Sequence, residues 1–152
     1  MSPAYRIVER VPTLHEYRDL CMAVGWKGVM NFEAAKTALP NSLYGVVAMQ
    51  GTRAIGMGRV VGDGAIFFYV QDVAVHPEHQ GQGVGKRLLE QLVRYLKDVA
   101  PEKAFIGLFA AMGTNPFYEQ FGFRAWPEMT GMFQVVPPRD QYLPNQGSQL
   151  GG

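Results

Sequence analysis

Val73-Ala74-Val75-His76-Pro77-Glu78-His79-Gln80-Gly81-Gln82-Gly83-Val84-Gly85-Lys86-Arg87 joins a long apolar run to an amphipathic one. Upstream, residues 65–75 are mostly apolar and read as a central strand. Downstream, Val84, Leu88, Leu92 and Leu96 recur every four residues, with Leu89 and Val93 beside them and charged residues on the opposite side. That spacing predicts a helix over residues 83–99. Three alternate glycines stand between the two elements. They let the backbone approach a ligand closely and turn its N–H groups inward. A helix N-terminus favours an anion there, and Lys86 and Arg87 add positive charge. A plain flexible turn is the simpler alternative, but the flanking strand and helix and the basic residues favour a pyrophosphate site. The turn is no Walker loop, because Gly-Lys-Ser/Thr is missing. The Gly81-x-Gly83-x-Gly85 spacing is not the dinucleotide fingerprint either.

Working outward, residues 5–10 alternate as a first strand. Pro12-Thr13 opens a helix that runs to about residue 24, and Asn31 caps a second over residues 32–39. Residues 43–49, 54–61 and 65–75 follow as three strands of an antiparallel meander, separated by glycine turns. After the helix come a strand over residues 104–110 and a short helix over residues 115–120, with Thr114 as its cap and Gly122 as its stop. Residues 123–125 and 132–136 read as final strands. The order predicts one α/β domain, residues 1–136, with a mixed sheet and a parallel crossover from residue 65 to residue 110. The tail, residues 137–152, is rich in Pro, Gly, Gln and Asn and is expected to pack loosely.

The 152 residues are enough for a core without staples, and the net charge of +1 suggests neither a nucleic-acid footprint nor a polybasic membrane patch. No run of about 18 apolar residues predicts a membrane helix. The first residues lack the apolar core of a signal peptide, so a cytoplasmic location is expected. Cys21 is the only cysteine and lies in an apolar helical pattern, which predicts a buried structural thiol. His76 and His79 flank Pro77-Glu78, but with no further ligands nearby they read as surface residues rather than a metal site.

The segment Gln80-Gly81-Gln82-Gly83-Val84-Gly85 resembles the Q/R-x-x-G-x-G/A signature of the GNAT superfamily of N-acetyltransferases. Asp72-Val73-Ala74-Val75-His76-Pro77 is similar to the end of that family's fourth strand. Asn115-Pro116-Phe117-Tyr118-Glu119-Gln120-Phe121-Gly122-Phe123 is similar to its second motif. The resemblance covers roughly residues 4–136 and is nearest to the arylalkylamine and plant-chloroplast types, through residues 69–75 and Gly131-Met132-Phe133. It implies a mostly antiparallel mixed sheet whose parallel strand pair splays apart. It implies acetyl-CoA as cosubstrate and no metal. Pantetheine would pair with Val73, Ala74 and Val75 and touch Asn115. The pyrophosphate would lie on Gln80, Gly81, Gln82, Gly83, Val84, Gly85 and Lys86. The Val73 N–H would stabilise the oxyanion, and Tyr118 would protonate the departing thiolate. For Tyr118 the alternative is plain packing against Phe117, Phe121 and Phe123.

The base is open. Many members carry Glu or His before the oxyanion donor, whereas here Tyr69 and Gln71 stand there. Asp72 can titrate, but strand alternation points it to the face opposite Gln71. It is a candidate for proton transfer, for binding a cationic substrate, or for structure. The acceptor is expected to be a small primary amine. Trp26, Met30, Phe32 and Tyr69 are candidates for an apolar pocket or for core, and Glu33 or Asp72 for its single carboxylate. A protein or peptide acceptor and a non-catalytic CoA-binding module are the alternatives. A homodimer is left open.

Overall fold

The computed structural model describes residues 4–138. Its sheet has five strands in the order β1 (Arg6–Val8), β2 (Tyr44–Gln50), β3 (Arg53–Gly62), β4 (Phe67–Val75) and β5 (Phe105–Gly107). All neighbours are antiparallel except β4 and β5, which are parallel. Helices α1 (Leu14–Ala23) and α2 (Phe32–Ala38) cover one face. Helix α3 (Val84–Val99) covers the other, and α4 (Asn115–Glu119) follows β5.

Local chemistry explains the boundaries. Thr13 and Glu16 form a reciprocal cap that opens α1. Asn31 Oδ1 accepts from the Ala34 N–H at 3.0 Å and opens α2. Asp63 Oδ1 accepts from the amides of Ala65, Ile66 and Phe67. That turn delays the start of β4 by two residues relative to the sequence expectation. Helix α3 buries Val84, Leu88, Leu89, Leu92 and Leu96 against the sheet. Each such side chain contributes roughly 1.5–3 kcal/mol relative to exposure.

One irregularity matters for the site. Between the pairs Met57↔Ala74 and Arg59↔Gln71, β3 has one residue and β4 has two. The extra residue makes a bulge at Asp72, whose φ is 56°. Opposite it, Gly58 leaves room: a Cβ there would stand 2.8 Å from Leu92 Cδ1 and 3.5 Å from Val73 Cγ2.

Three sequence expectations are corrected. The strand expected over residues 104–110 is only Phe105–Gly107. Residues 123–125 and 132–136 form no strands, and only an isolated bridge joins Trp126 to Met129. Both segments carry strand-type residues, but a strand also needs a paired neighbour, which none of the described residues supplies. Thr114 does not cap α4 through its side chain, because its hydroxyl donates to the Ala111 carbonyl at 2.6 Å. Residues 139–152, most of the predicted tail, lie outside the described residues.

Candidate active site

The parallel pair is short. Phe67, Phe68 and Tyr69 pair with Phe105, Ile106 and Gly107, and there the pairing ends. β4 runs on to Val75, so residues 70–75 have no neighbour on the β5 side among the described residues. Val73, Ala74 and Val75 lie on this free edge. A parallel splay of this kind offers backbone N–H and C=O groups to a ligand amide.

The edge leads into the glycine turn. His76 and residues Pro77–His79 form a tight helical turn, and Gln80 Nε2 donates to the Val75 carbonyl at 2.9 Å, bracing the loop to the strand end. Gly81 and Gly83 have φ of 78° and 83°, and a Cβ at either would meet nothing within 4 Å. Only glycine adopts this geometry at little cost, and the space beyond is open. Gly83 is also the N-cap of α3 and offers no side-chain cap, and the first turn of α3 holds no acidic residue. The first amides of α3 therefore have no side-chain cap, and Lys86 beside them is exposed, a setting that suits an anion. The Val84 side chain is 1% exposed and belongs to the core, so only its backbone is available to the turn. Arg87 is diverted: its guanidinium stands 4.9 Å from the Tyr5 ring.

Helix α4 closes the third side. A Cβ at Gly85 would lie 3.6 Å from Val75 Cγ2 and 3.7 Å from Phe117 Cζ, so the end of β4, the first turn of α3 and α4 converge. Asn115 is exposed at the start of α4. Tyr118 is half-buried, with its ring 5.0 Å from Phe117 and 6.4 Å from Phe123. Its hydroxyl has no protein hydrogen bond among the described residues. Burial pushes its pKa above the ordinary phenol value, which keeps the proton on.

Asp72 does not lie on the face opposite Gln71. Arg59, the register partner of Gln71, donates from Nε to Asp72 Oδ2 at 2.8 Å. Tyr17 donates to the same oxygen at 3.1 Å. The bulge breaks the alternation and turns the carboxylate toward α1. Arg59 also donates to Ser42 Oγ at 2.8 Å and to the Ala38 carbonyl at 3.4 Å. Burial and the nearby Asp72 push the Tyr17 hydroxyl upward and the Cys21 thiol to about 11. Arg59 and Tyr17 went unnoticed in the sequence. The available signal was a lone arginine in the apolar run of β3, two positions from Met57.

Glu33 is exposed and pairs with Lys36 at 2.9 Å, so it is no pocket carboxylate. Trp26, Met30 and Phe32 pack against the cluster of Tyr17, Leu20 and Cys21. Tyr69 packs on Phe105 with ring centroids 6.0 Å apart. His79 is buried at 9% exposure, not on the surface as expected. The described residues contain no group of three His, Cys, Asp or Glu side chains placed to hold a metal.

The family model for the acetyltransferase (GNAT) domain matches residues 41–125. An uncharacterized N-acetyltransferase ycf52-like of Prochlorococcus marinus is 37% identical over 123 residues, covering 78% of this chain and 67% of its own. A histone acetyltransferase TAP1 of Glycine max is 35% identical over 133 residues, covering 79% of this chain and 56% of its own. The crystal structure of a probable acetyltransferase, SA2161 of Staphylococcus aureus, superposes with a TM-score of 0.81 at 34% identity, over 88% of this chain and 100% of that one. With the free edge of β4, the open glycine turn and this matched span together, the chain belongs to the GNAT superfamily and is an acyl-CoA-dependent acetyltransferase.

Proposed function

We propose that this acetyltransferase moves the acetyl group of acetyl-CoA onto a small primary amine with an apolar or aromatic body, by direct attack. The observation that carries the reading is the unpaired edge of β4 leading into two left-handed glycines at the uncapped start of α3. In this reading Val73, Ala74 and Val75 pair with the pantetheine. The backbone from Gln80 to Lys86 holds the pyrophosphate, and Asn115 touches the pantetheine from α4. The amine nitrogen attacks the thioester carbon, and the Val73 N–H stabilises the oxygen as it gains charge. The C–S bond then breaks, and the Tyr118 hydroxyl gives its proton to the departing sulfur. The proton lost by the amine leaves through water, because Gln71 cannot accept it and Asp72 is committed to Arg59 and Tyr17. Asp72 is a positioning residue here: it holds the bulge immediately before Val73.

The half-buried aromatic residues on the α1 and α2 side support an apolar amine. A protein acceptor is the second reading, favoured by the name of the soybean relative. The test is thiol release from acetyl-CoA with arylalkylamines, polyamines, amino acids, aminoglycosides and histone peptides. Turnover with arylalkylamines is expected. Turnover confined to peptides would replace the small amine by a protein. Acetyl-CoA binding without turnover on any amine would leave a CoA-binding module.

A further inference from the structure

We propose that Arg59 is a positioning residue that ties the end of α2 to the direction of the Val73 N–H, so that the acceptor side of the cleft and the oxyanion donor are set together. The inference rests on the reading of Val73 given above and deepens it by naming what aims that donor.

An arginine inside an apolar strand is costly unless its donors are used. Arg59 uses them in two directions. Nε donates to Asp72 Oδ2 at 2.8 Å, toward the bulge. Nη1 donates to Ser42 Oγ at 2.8 Å and to the Ala38 carbonyl at 3.4 Å, toward α2. Ala38 is the last residue of α2, where carbonyls lack a partner inside the helix and a cation is favourable. The guanidinium is a rigid plane, so its direction to α2 fixes its direction to Asp72. Tyr17 of α1 adds a further anchor. It donates to the same Asp72 oxygen at 3.1 Å. Its ring stands 5.9 Å from Arg59 Cζ and 6.4 Å from the Phe32 ring. Both helices of that face therefore converge on one carboxylate.

A left-handed φ of 56° in a residue other than glycine persists only where its surroundings fix it. The peptide plane that follows Asp72 carries the Val73 N–H. If the Asp72 backbone relaxes, that plane turns and the N–H swings away from the developing oxyanion. A counter-charge for Asp72 alone requires one contact. The second arm of Arg59 goes beyond it and makes the bulge depend on where α2 sits. Phe32 at the start of α2 packs with Trp26 and Met30 on the side proposed to receive the amine's apolar body. An amine seated there and the aim of the donor are thereby coupled.

The test uses Arg59→Lys and Ser42→Ala in the full chain. Lysine keeps a charge for Asp72 but has no second arm, and alanine removes only the acceptor on the α2 side. The first readout is independent of turnover: residual dipolar couplings of the backbone N–H groups in isotope-labelled protein. The Val73 N–H is expected to change direction in both variants, while the N–H groups of Gly81 and Gly83 stay in place. An unchanged Val73 direction in the folded Ser42→Ala variant overturns the proposal. The second readout is kinetic. For Arg59→Lys, kcat is expected to fall at least about tenfold, toward the roughly 10²–10³ that a lost oxyanion donor costs, and the amine KM to rise, with calorimetric acetyl-CoA affinity nearly unchanged. Ser42→Ala is expected to move the same parameters by less, and to add nothing in the Arg59→Lys background, because lysine lacks the arm that Ser42 receives. Additive effects of the two substitutions overturn the proposal. So does an Arg59→Lys variant that only melts lower, with wild-type kcat and KM and an unmoved Val73 N–H. A Val73 N–H that moves in both variants with no change in kcat supports the tie to α2 and removes Val73 as the oxyanion donor instead.

Discussion

Arg59 Nε lies 2.8 Å from Asp72 Oδ2, and the two side chains are 11% and 10% exposed. The pair spans the bulge that precedes Val73, and its aspartate holds a left-handed φ of 56°. Asp72→Ala leaves Arg59 buried without its counter-charge and is expected to cost about 3–5 kcal/mol, read by urea unfolding. Asp72→Asn keeps an oxygen acceptor for Arg59 and Tyr17, and asparagine tolerates the left-handed region. Its loss of stability is expected to be smaller, and its kcat to stay within about tenfold of wild type. A drop of about 10²–10⁴ in the folded Asn variant, with a changed pH profile, would instead make Asp72 a proton acceptor.

Gly83 is the second test. At φ 83° a β-branched side chain is strained, and its Cβ would point into open space where a phosphate is proposed to approach. Gly83→Val is expected to weaken acetyl-CoA binding by at least about tenfold in calorimetry. Gly25→Val serves as control, because Gly25 has a similar left-handed φ of 87° with nothing within 4 Å of an added Cβ but lies after α1, outside the turn. Unchanged affinity in Gly83→Val would remove the pyrophosphate from this turn.

Cys21 gives a test of the packing behind Asp72. It is fully buried on the inner side of α1, and its thiol is pushed to about 11 by burial and by the nearby carboxylate. A thiolate is the reactive form, so at pH 8 the native protein is expected to react with a disulfide reagent only as fast as it opens. One thiol is expected to react at once in denaturant. Rapid reaction of the native protein would mean that α1 does not seal this side of the sheet.

Much of this site was legible in the sequence because it rests on local signals. Four-residue periodicity gave α3, and alternate glycines gave the turn, where Gly81 and Gly83 do adopt left-handed backbone. The splay was implied by family resemblance, and the end of pairing at Tyr69 and Gly107 matches it. The bulge was illegible. A single inserted residue leaves the apolar pattern of β4 almost unchanged, and an aspartate at positive φ has no signature of its own. Strict alternation therefore sent Asp72 to the wrong face. The strands expected after residue 122 failed for a different reason. Composition says that a segment suits a sheet, but not whether a neighbour is present to pair with it. His79 was placed on the surface because its loop is polar, yet the turn at Pro77 folds its ring inward.

Tyr118 carries the sharpest prediction. Its ring packs edge-on against Phe117 and Phe123, and those contacts survive when only the oxygen is removed. The hydroxyl has no protein partner among the described residues, so Tyr118→Phe is expected to melt within a few degrees of wild type. Acetyl-CoA affinity is expected to stay nearly constant, because the proposed pyrophosphate contacts lie across the cleft on α3. kcat is expected to fall by roughly 10²–10⁴, toward the low end because a thiolate leaves readily. The pH dependence adds an independent sign. The protonated phenol is the proposed active form, and burial raises its pKa above the ordinary value of about 10. Activity carried by this proton is therefore retained through neutral and mildly alkaline pH, and is lost only as pH rises through the elevated value. The wild-type kcat profile is expected to show its alkaline limb above pH 10, and the Phe variant to lack that limb. A folded Phe variant with wild-type kcat at every pH, with chemistry rate-limiting, would make Tyr118 a packing residue and leave water to protonate the thiolate.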